Sequence, residues 1–183
     1  MRDNTSWIQT YTGKQFWPLD PRPEDLDIVD IAHALSNICR FTGHCRTFYS
    51  VAEHSCHVSI ILPPELKLWG LLHDASEAYL CDIASPVKHQ MPHYQEFERR
   101  LMLTVAERFN LLAEYSNYPE LPTLVHEADM TLCATEVRDL MGAPPVPWRP
   151  LPPPLPEVIV PVSPERAERW FLDSWEELRG EQR

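Results

Sequence analysis

The chain has 183 residues, is 44% hydrophobic and 10% aromatic, and therefore has the length and apolar content of one folded domain. A formal charge of −11 gives it a negative field that works against binding DNA or RNA duplexes and anionic membrane surfaces. No apolar run approaches the ~20 residues of a spanning helix, and the opening MRDNTSWIQT lacks the apolar stretch of a secretion signal.

In chain order, residues 1–26 read as an irregular lead-in. Its aromatics Trp7, Tyr11, Phe16 and Trp17 are separated by Gly13 and three prolines, and they are expected to pack onto the domain. From Asp27 the pattern turns helical: Ile28, Ile31, Leu35 and Ile38 recur at three- and four-residue spacing, predicting a helix that stops near Gly43. Ser50-Val51-Ala52-Glu53 has the form of a capping box, in which the serine oxygen and the glutamate satisfy free backbone N–H groups. The helix it starts runs through His54, Val58 and Ile61 to Pro63-Pro64. A third helix is predicted from about Glu65 to Tyr79, a fourth over 93–112 and a fifth over 123–141.

Ten of the nineteen prolines fall between 144 and 164. Proline fixes φ and removes a backbone donor, so 142–163 is expected to be an extended connector. It would tether the chain across the surface or, alternatively, offer a ligand to an SH3-type groove. A last helix over 164–179 has Trp170, Phe171 and Trp175 to bury. The sequence offers no convincing strand pairs and no internal repeats. The expected fold is all-α: one helical bundle over 27–141, followed by the connector and the C-terminal helix. The five cysteines (39, 45, 56, 81, 133) form no CxxC pair and are expected to be free thiols in a reducing cytoplasm.

The stretch LLHDASEAYLCD, residues 71–82, sets His73, Asp74, Glu77 and Asp82 into an apolar helical run. Burying such groups costs several kcal/mol unless each is paired or bound to an ion. His54 lies one turn from Val51 and Val58, and Asp129 shares a face with Val125, Leu132 and Glu136. His73 and Asp74, being adjacent, stand about 100° apart on a helix. Three helices can thus deliver two imidazoles and two carboxylates to one point, a shell that suits manganese, cobalt, iron or zinc with positions left for water and substrate. The plainer alternatives are a hydrogen-bonded core histidine and an arginine-paired Asp129.

The ordered segments VAEHS, LLHDASEAYLCDIASPVK and HEADMTLCATE resemble those of the HD-domain metal-dependent phosphohydrolases, over roughly residues 27–141. Within that superfamily the chain looks like the bacterial 5′-deoxynucleotidases. It is more similar to a group that includes phage dATP triphosphohydrolases, through WIQTYTGKQF, DIAHALSNICRFTGH and FYSVAEHS. The resemblance implies His54, His73, Asp74 and Asp129 as metal ligands. Glu77 would transfer a proton or orient the attacking water, and Asp82 would contact the sugar or the leaving-group side. Arg40 and Lys88 match phosphate contacts. Phe41 would stack on sugar or base, and Ser85 and Pro86 would line the nucleoside pocket. Cys81 stands where relatives often carry glycine, so the loop holding Asp82 is expected to depart from the family's backbone.

The implied cofactor is one divalent transition ion, joined by a second, magnesium ion if the substrate is a triphosphate. The implied partner is a small deoxynucleotide, acted on in a bacterial cytoplasm or by a phage protein in its host. Oligomers are common among such proteins, and the aromatic C-terminal helix would either supply an interface or close the core. Three functions follow. In the first, water attacks the α-phosphorus of a dNTP and releases nucleoside and triphosphate. The second takes a dNMP to nucleoside and phosphate. The third is a regulatory module that binds metal or nucleotide without turnover. His44, Arg46, Glu53 and His57 receive no role, and His33, His89, His93 and His126 read as structural or surface residues.

Overall fold

The first helix, α1 (Ile28–Asn37), starts where the Asp27 carboxylate accepts a 2.9 Å bond from the Val29 N–H. It ends well short of Gly43, because Cys39 pairs with Ser50 in an antiparallel bridge and the Arg40 N–H donates to the Tyr49 carbonyl at 2.9 Å. Gly43 instead closes a separate 3₁₀ turn, Phe41–Gly43. The structure, a computed structural model, describes residues 5–111, 122–146 and 148–181.

Helix α2 (Val51–Ile61) is capped by Ser50, whose Oγ accepts from the Glu53 N–H at 3.1 Å. Only half of the expected capping box forms. The Glu53 side chain does not reach back but accepts the Val162 N–H at 3.1 and 3.2 Å. The predicted third helix is interrupted: α3 (Lys67–Leu72) and α4 (Glu77–Leu80) are separated by turns at 73–76. There the bonds tighten from i−4 to i−3, with Ala75 N–H to Leu72 O and Glu77 N–H to Asp74 O, both 3.0 Å. The chain continues through α5 (Ser85–Lys88), α6 (Pro92–Arg108), α7 (Thr123–Leu140) and α8 (Pro164–Glu181). Helix α6 thus ends before residue 112, which lies outside the described residues.

The fold is all-α, with one addition. Inside the lead-in, β1 (Ile8–Gln9) and β2 (Gln15–Phe16) pair antiparallel, Ile8 opposite Phe16. Gly13, at φ +83°, makes the turn that L-residues disfavour. The hairpin is tied down at its tip, where Asp30 accepts from the Thr12 N–H at 2.6 Å and its hydroxyl at 3.0 Å. Phe16 is buried and stacks on Tyr79 with centroids 4.0 Å apart, so this aromatic does pack onto the domain.

Helix α2 occupies the centre, packed against α1, α3, α7 and α8, and is buried on most faces. On α8 the residues Ala167, Phe171, Trp175 and Leu178 recur every three or four positions and are all buried. Trp175 meets Phe109 edge-on at 4.9 Å. These two aromatics close the core; each buried side chain of this kind contributes about 1.5–3 kcal/mol. Among the described residues, no helix is long and apolar enough to cross a membrane.

The contact of α3 with α2 is close enough to require glycine at residue 70. A Cβ there would lie 2.5 Å from Leu62 Cδ1 and 3.0 Å from the Ser59 Cα. Leu62 can move, but the α2 backbone cannot without disturbing the core. Gly70→Ala is therefore expected to cost about 1–3 kcal/mol through overpacking, although alanine is the better helix former. A urea melt with unchanged midpoint would show that the two helices separate freely.

The proline-rich segment is an extended connector held along α7. Arg138 donates to the carbonyls of Leu155 and Glu157, Thr135 Oγ1 accepts from the Leu155 N–H at 2.9 Å, and Asp139 accepts from the Ile159 N–H at 2.9 Å.

Candidate metal centre

Two imidazoles face each other at the junction of α2, α7 and the 73–76 turns, with His54 Nε2 and His73 Nε2 3.3 Å apart. Each ring is oriented from behind. His54 Nδ1 is 2.6 Å from Glu136 Oε1, and His73 Nδ1 is 2.7 Å from the Gly70 carbonyl. Both partners accept, so each Nδ1 carries its hydrogen and each Nε2 is left to face the other ring, as a lone pair when the ring is neutral. Two lone pairs at that distance repel unless a proton or a cation lies between them. This fixing of a ring by a carboxylate or carbonyl is the common arrangement behind metal-binding histidines.

Asp129 Oδ1 completes the group, 3.2 Å from His54 Nε2. The ligand atoms of His54, His73 and Asp129 all lie within 4.8 Å of one another, and the three could hold a metal ion. Separations of 3.2 and 3.3 Å match neighbouring ligands around an ion bound at about 2.0–2.2 Å. Asp74 lies outside that tight triad but beside it, its Oδ2 3.3 Å from His73 Nε2 and 3.8 Å from His54 Nε2. The turns at 73–76 carry both residues, with i−3 bonds from Ala75 N–H to Leu72 O and from Glu77 N–H to Asp74 O.

The electrostatics separate the acids into two kinds. Burial pushes Asp74, Asp129 and Glu136 up, but nearby cations and histidines win and hold all three below their ordinary values. His73 dominates for Asp74, His54 for Asp129 and Arg40 for Glu136. Glu77 goes the other way. Burial raises it well above the usual range, and the charges of Asp74 and Asp82 raise it further. Its Oε2 is buried and has no hydrogen-bond partner among the described residues, while its Oε1 stands 3.8 Å from Lys88 Nζ. A site that holds some carboxylates low and pushes another up can both hold a cation and move a proton. His54 itself is opposed by burial and by Arg40, yet Glu136 and Asp129 carry it up to about 9.

A cleft of about 790 Å³ opens in front of the triad, within the range of small-molecule sites. It is lined by the sequence-predicted residues Arg40, Phe41, Asp74, Glu77, Asp82, Ser85, Pro86, Lys88 and Asp129. His54 and His73 sit beneath its floor, buried. Arg40 donates to Glu136 Oε2 at 3.1 and 3.2 Å and stands 3.6 Å from Asp74. Lys88 bonds to Glu98 at 2.6 Å.

The backbone around the cleft is unusual in two places. Phe41 and Thr42 have φ of 53° and 54°, and Cys81 has φ 68° with ψ 157°, a region that is nearly glycine-only. Cys81 therefore takes the conformation a glycine would favour, and the expected departure of this loop does not arise from its φ. The Tyr94 hydroxyl lies 2.7 and 3.0 Å from the carbonyls of Cys81 and Leu80 and pins the turn.

Among known proteins, the chain is 42% identical over 135 residues to the uncharacterised protein YfdR of Escherichia coli K12, spanning 74% of this chain and 72% of that one. The chain belongs to the YfdR family. It is also 37% identical over 118 residues to the uncharacterised protein RCAP_rcc00048 of Rhodobacter capsulatus, covering 59% of this chain and 60% of that one. No family model matches the sequence.

In this YfdR-family chain, sequence reasoning missed five contributors. Glu136 is fully buried and braces both His54 and Arg40; an acid seven residues after Asp129 on an apolar face was the available clue. His44 and His89 line the cleft, where the sequence offered nothing to distinguish them from surface histidines. Trp148 and Arg149 of the connector also line it, and a proline-rich tract carries no pattern that says where it will dock. His33, expected to be a structural or surface residue, bonds to Glu168 at 3.0 Å and stacks on Tyr11 at 3.6 Å. All five cysteines are free.

Proposed function

We propose that this protein is an HD-type metal-dependent phosphohydrolase acting on deoxynucleoside phosphates, as a triphosphohydrolase that releases nucleoside and triphosphate. The observation that carries the reading is the pair of Nε2 atoms held 3.3 Å apart, with each ring backed at Nδ1 by Glu136 or Gly70, beside a cleft. Both Nδ1 atoms are occupied from behind, so both Nε2 atoms and the Asp129 carboxylate turn to one point, where a proton in the metal-free chain would give way to a bound cation. Asp74 would join His54, His73 and Asp129 as a fourth ligand. The nitrogen-and-oxygen set fits manganese, cobalt, iron or zinc, and a triphosphate substrate would bring a second, magnesium ion. When bound, a divalent ion at this point supplies Lewis acidity that lowers the pKa of water and polarises a phosphoryl oxygen.

The chain's own residues would do the rest. Water adds to the α-phosphorus, the bond from phosphorus to the 5′-oxygen breaks, and that oxygen leaves with a proton as the nucleoside hydroxyl. Glu77, whose carboxyl is pushed up by burial and by its acidic neighbours, is suited to giving or relaying that proton. Arg40, held by its bracing pair with Glu136, and Lys88, which also lines the cleft, would meet the phosphate oxygens. Phe41, Ser85 and Pro86 would bound the nucleoside, with Asp82 near the sugar.

The test is incubation with Mn²⁺ or Co²⁺ and each dNMP and dNTP, with products identified by chromatography. Inorganic triphosphate with free nucleoside is the expected outcome. Orthophosphate from a dNMP would select the nucleotidase reading instead, and binding without turnover would select a regulatory module. Glu77→Gln is expected to retain the metal while turnover falls about 10²–10⁴-fold; full activity in that variant would remove the glutamate from the mechanism.

A further inference from the structure

We propose that Arg149, carried to the cleft by the proline-rich connector, is the contact for a phosphate beyond the one at the metal, so that the site is built for a polyphosphorylated nucleotide. This rests on the hydrolase reading and names its substrate class.

The argument is one of charge. Three basic side chains with permanent charge line the cleft: Arg40, Lys88 and Arg149. The first two are already countered within the protein. Arg40 is paired with Glu136 at 3.1 Å and Asp74 at 3.6 Å, and Lys88 with Glu98 at 2.6 Å. Arg149 differs. Its Nη2 rests 3.3 Å from the Met130 sulfur, and it has no carboxylate partner among the described residues. A thioether is a weak, uncharged acceptor, so the guanidinium keeps its full charge and its fork of donors. In a chain with 27 acidic residues, a cation left this way beside Asp129's neighbour Met130 is notable because it faces a cavity.

Its position is also built. Thr135, Arg138 and Asp139 of α7 hold the connector's backbone downstream, and upstream of Arg149, Trp148 meets Phe41 edge-on at 6.2 Å. The connector is thereby attached on both sides of the arginine. A single phosphate at the metal finds Arg40 and Lys88 but needs no third cation. A chain of phosphates carries further charge, and the planar guanidinium is suited to two-point contact with it.

The experiment is calorimetric binding of inorganic tripolyphosphate and of orthophosphate to the full chain and to Arg149→Ala, with Mn²⁺ equal in cell and syringe. The wild type should bind tripolyphosphate at least tenfold more tightly than orthophosphate. Arg149→Ala should lose at least tenfold for tripolyphosphate and less than twofold for orthophosphate, with Arg149→Lys intermediate. Equal losses for both anions, no loss, or a wild type that does not prefer tripolyphosphate would overturn the proposal. Since Arg149 is exposed, its thermal melt should be unchanged, which excludes misfolding as the cause. Wild-type turnover of dNTPs is measured separately. If turnover is absent while the binding difference stands, the hydrolase reading fails and the phosphate contact survives.

Discussion

Glu136→Leu is expected to lower stability by about 3–5 kcal/mol and the melting temperature by roughly 10 °C. Leucine nearly fills the space, so a cavity is not the cause. The cost comes from what is left behind. Glu136 is fully buried and accepts from Arg40 at 3.1 and 3.2 Å and from His54 Nδ1 at 2.6 Å. Without it a largely buried guanidinium loses its main counter-charge, and an imidazole N–H loses its acceptor. Metal affinity should fall about 10–100-fold as His54 loses the group that orients it. The double variant Glu136→Leu/Arg40→Met should recover much of the stability, because an apolar pair can replace a buried ion pair, yet it should not recover the metal. A single variant melting within 2 °C of the wild type, by about the error of such a scan, would show that Asp74 alone can satisfy Arg40.

Asp129→Ala and Asp74→Ala are each expected to abolish metal occupancy at micromolar Mn²⁺ or Co²⁺ and, with it, turnover. Each removes a charged oxygen from a point where two neutral imidazoles cannot hold a divalent ion strongly by themselves. Binding should also be coupled to protons. In the metal-free chain His54 is carried up to about 9 from an ordinary 6.5, so it holds a proton that a metal must displace. The sign follows from that rise. The proton's stabilisation of the metal-free fold is complete below pH 6.5 and is lost as pH climbs through about 9. Metal affinity should accordingly increase by about tenfold per pH unit for each proton released over the same window. Calorimetry in buffers of different ionisation enthalpy measures that release directly. A pH-independent affinity, or an Asp129→Ala chain that still binds, would mean the ion sits elsewhere.

The helices were legible because each buries one stripe of its surface. The recurrence of Ile28, Ile31 and Leu35, or of Ala167, Phe171 and Trp175, is written in the order of residues. The candidate ligands were legible for a related reason: histidines and acids in apolar runs cost free energy unless something compensates them. The break after Leu72 was not. His73 and Ser76 keep ordinary right-handed helical angles, so local preference cannot distinguish a regular helix from the tightened turn that turns Asp74 towards the cleft. The hairpin was missed because strands of two residues each are too short to show alternation.

What the sequence determined by itself, then, is the set of longer helices and the kinds of side chain available to a metal, since both follow from interactions within a few turns. The convergence of those side chains was decided by tertiary structure alone. Glu136 braces Arg40 across 96 positions and His54 across 82, and Val162 meets Glu53 across 109. Contacts that distant depend on how whole helices pack, and neighbouring residues carry no record of it. The same holds for Arg149, whose place at the cleft depends on the bonds that α7 makes to an otherwise featureless proline-rich run.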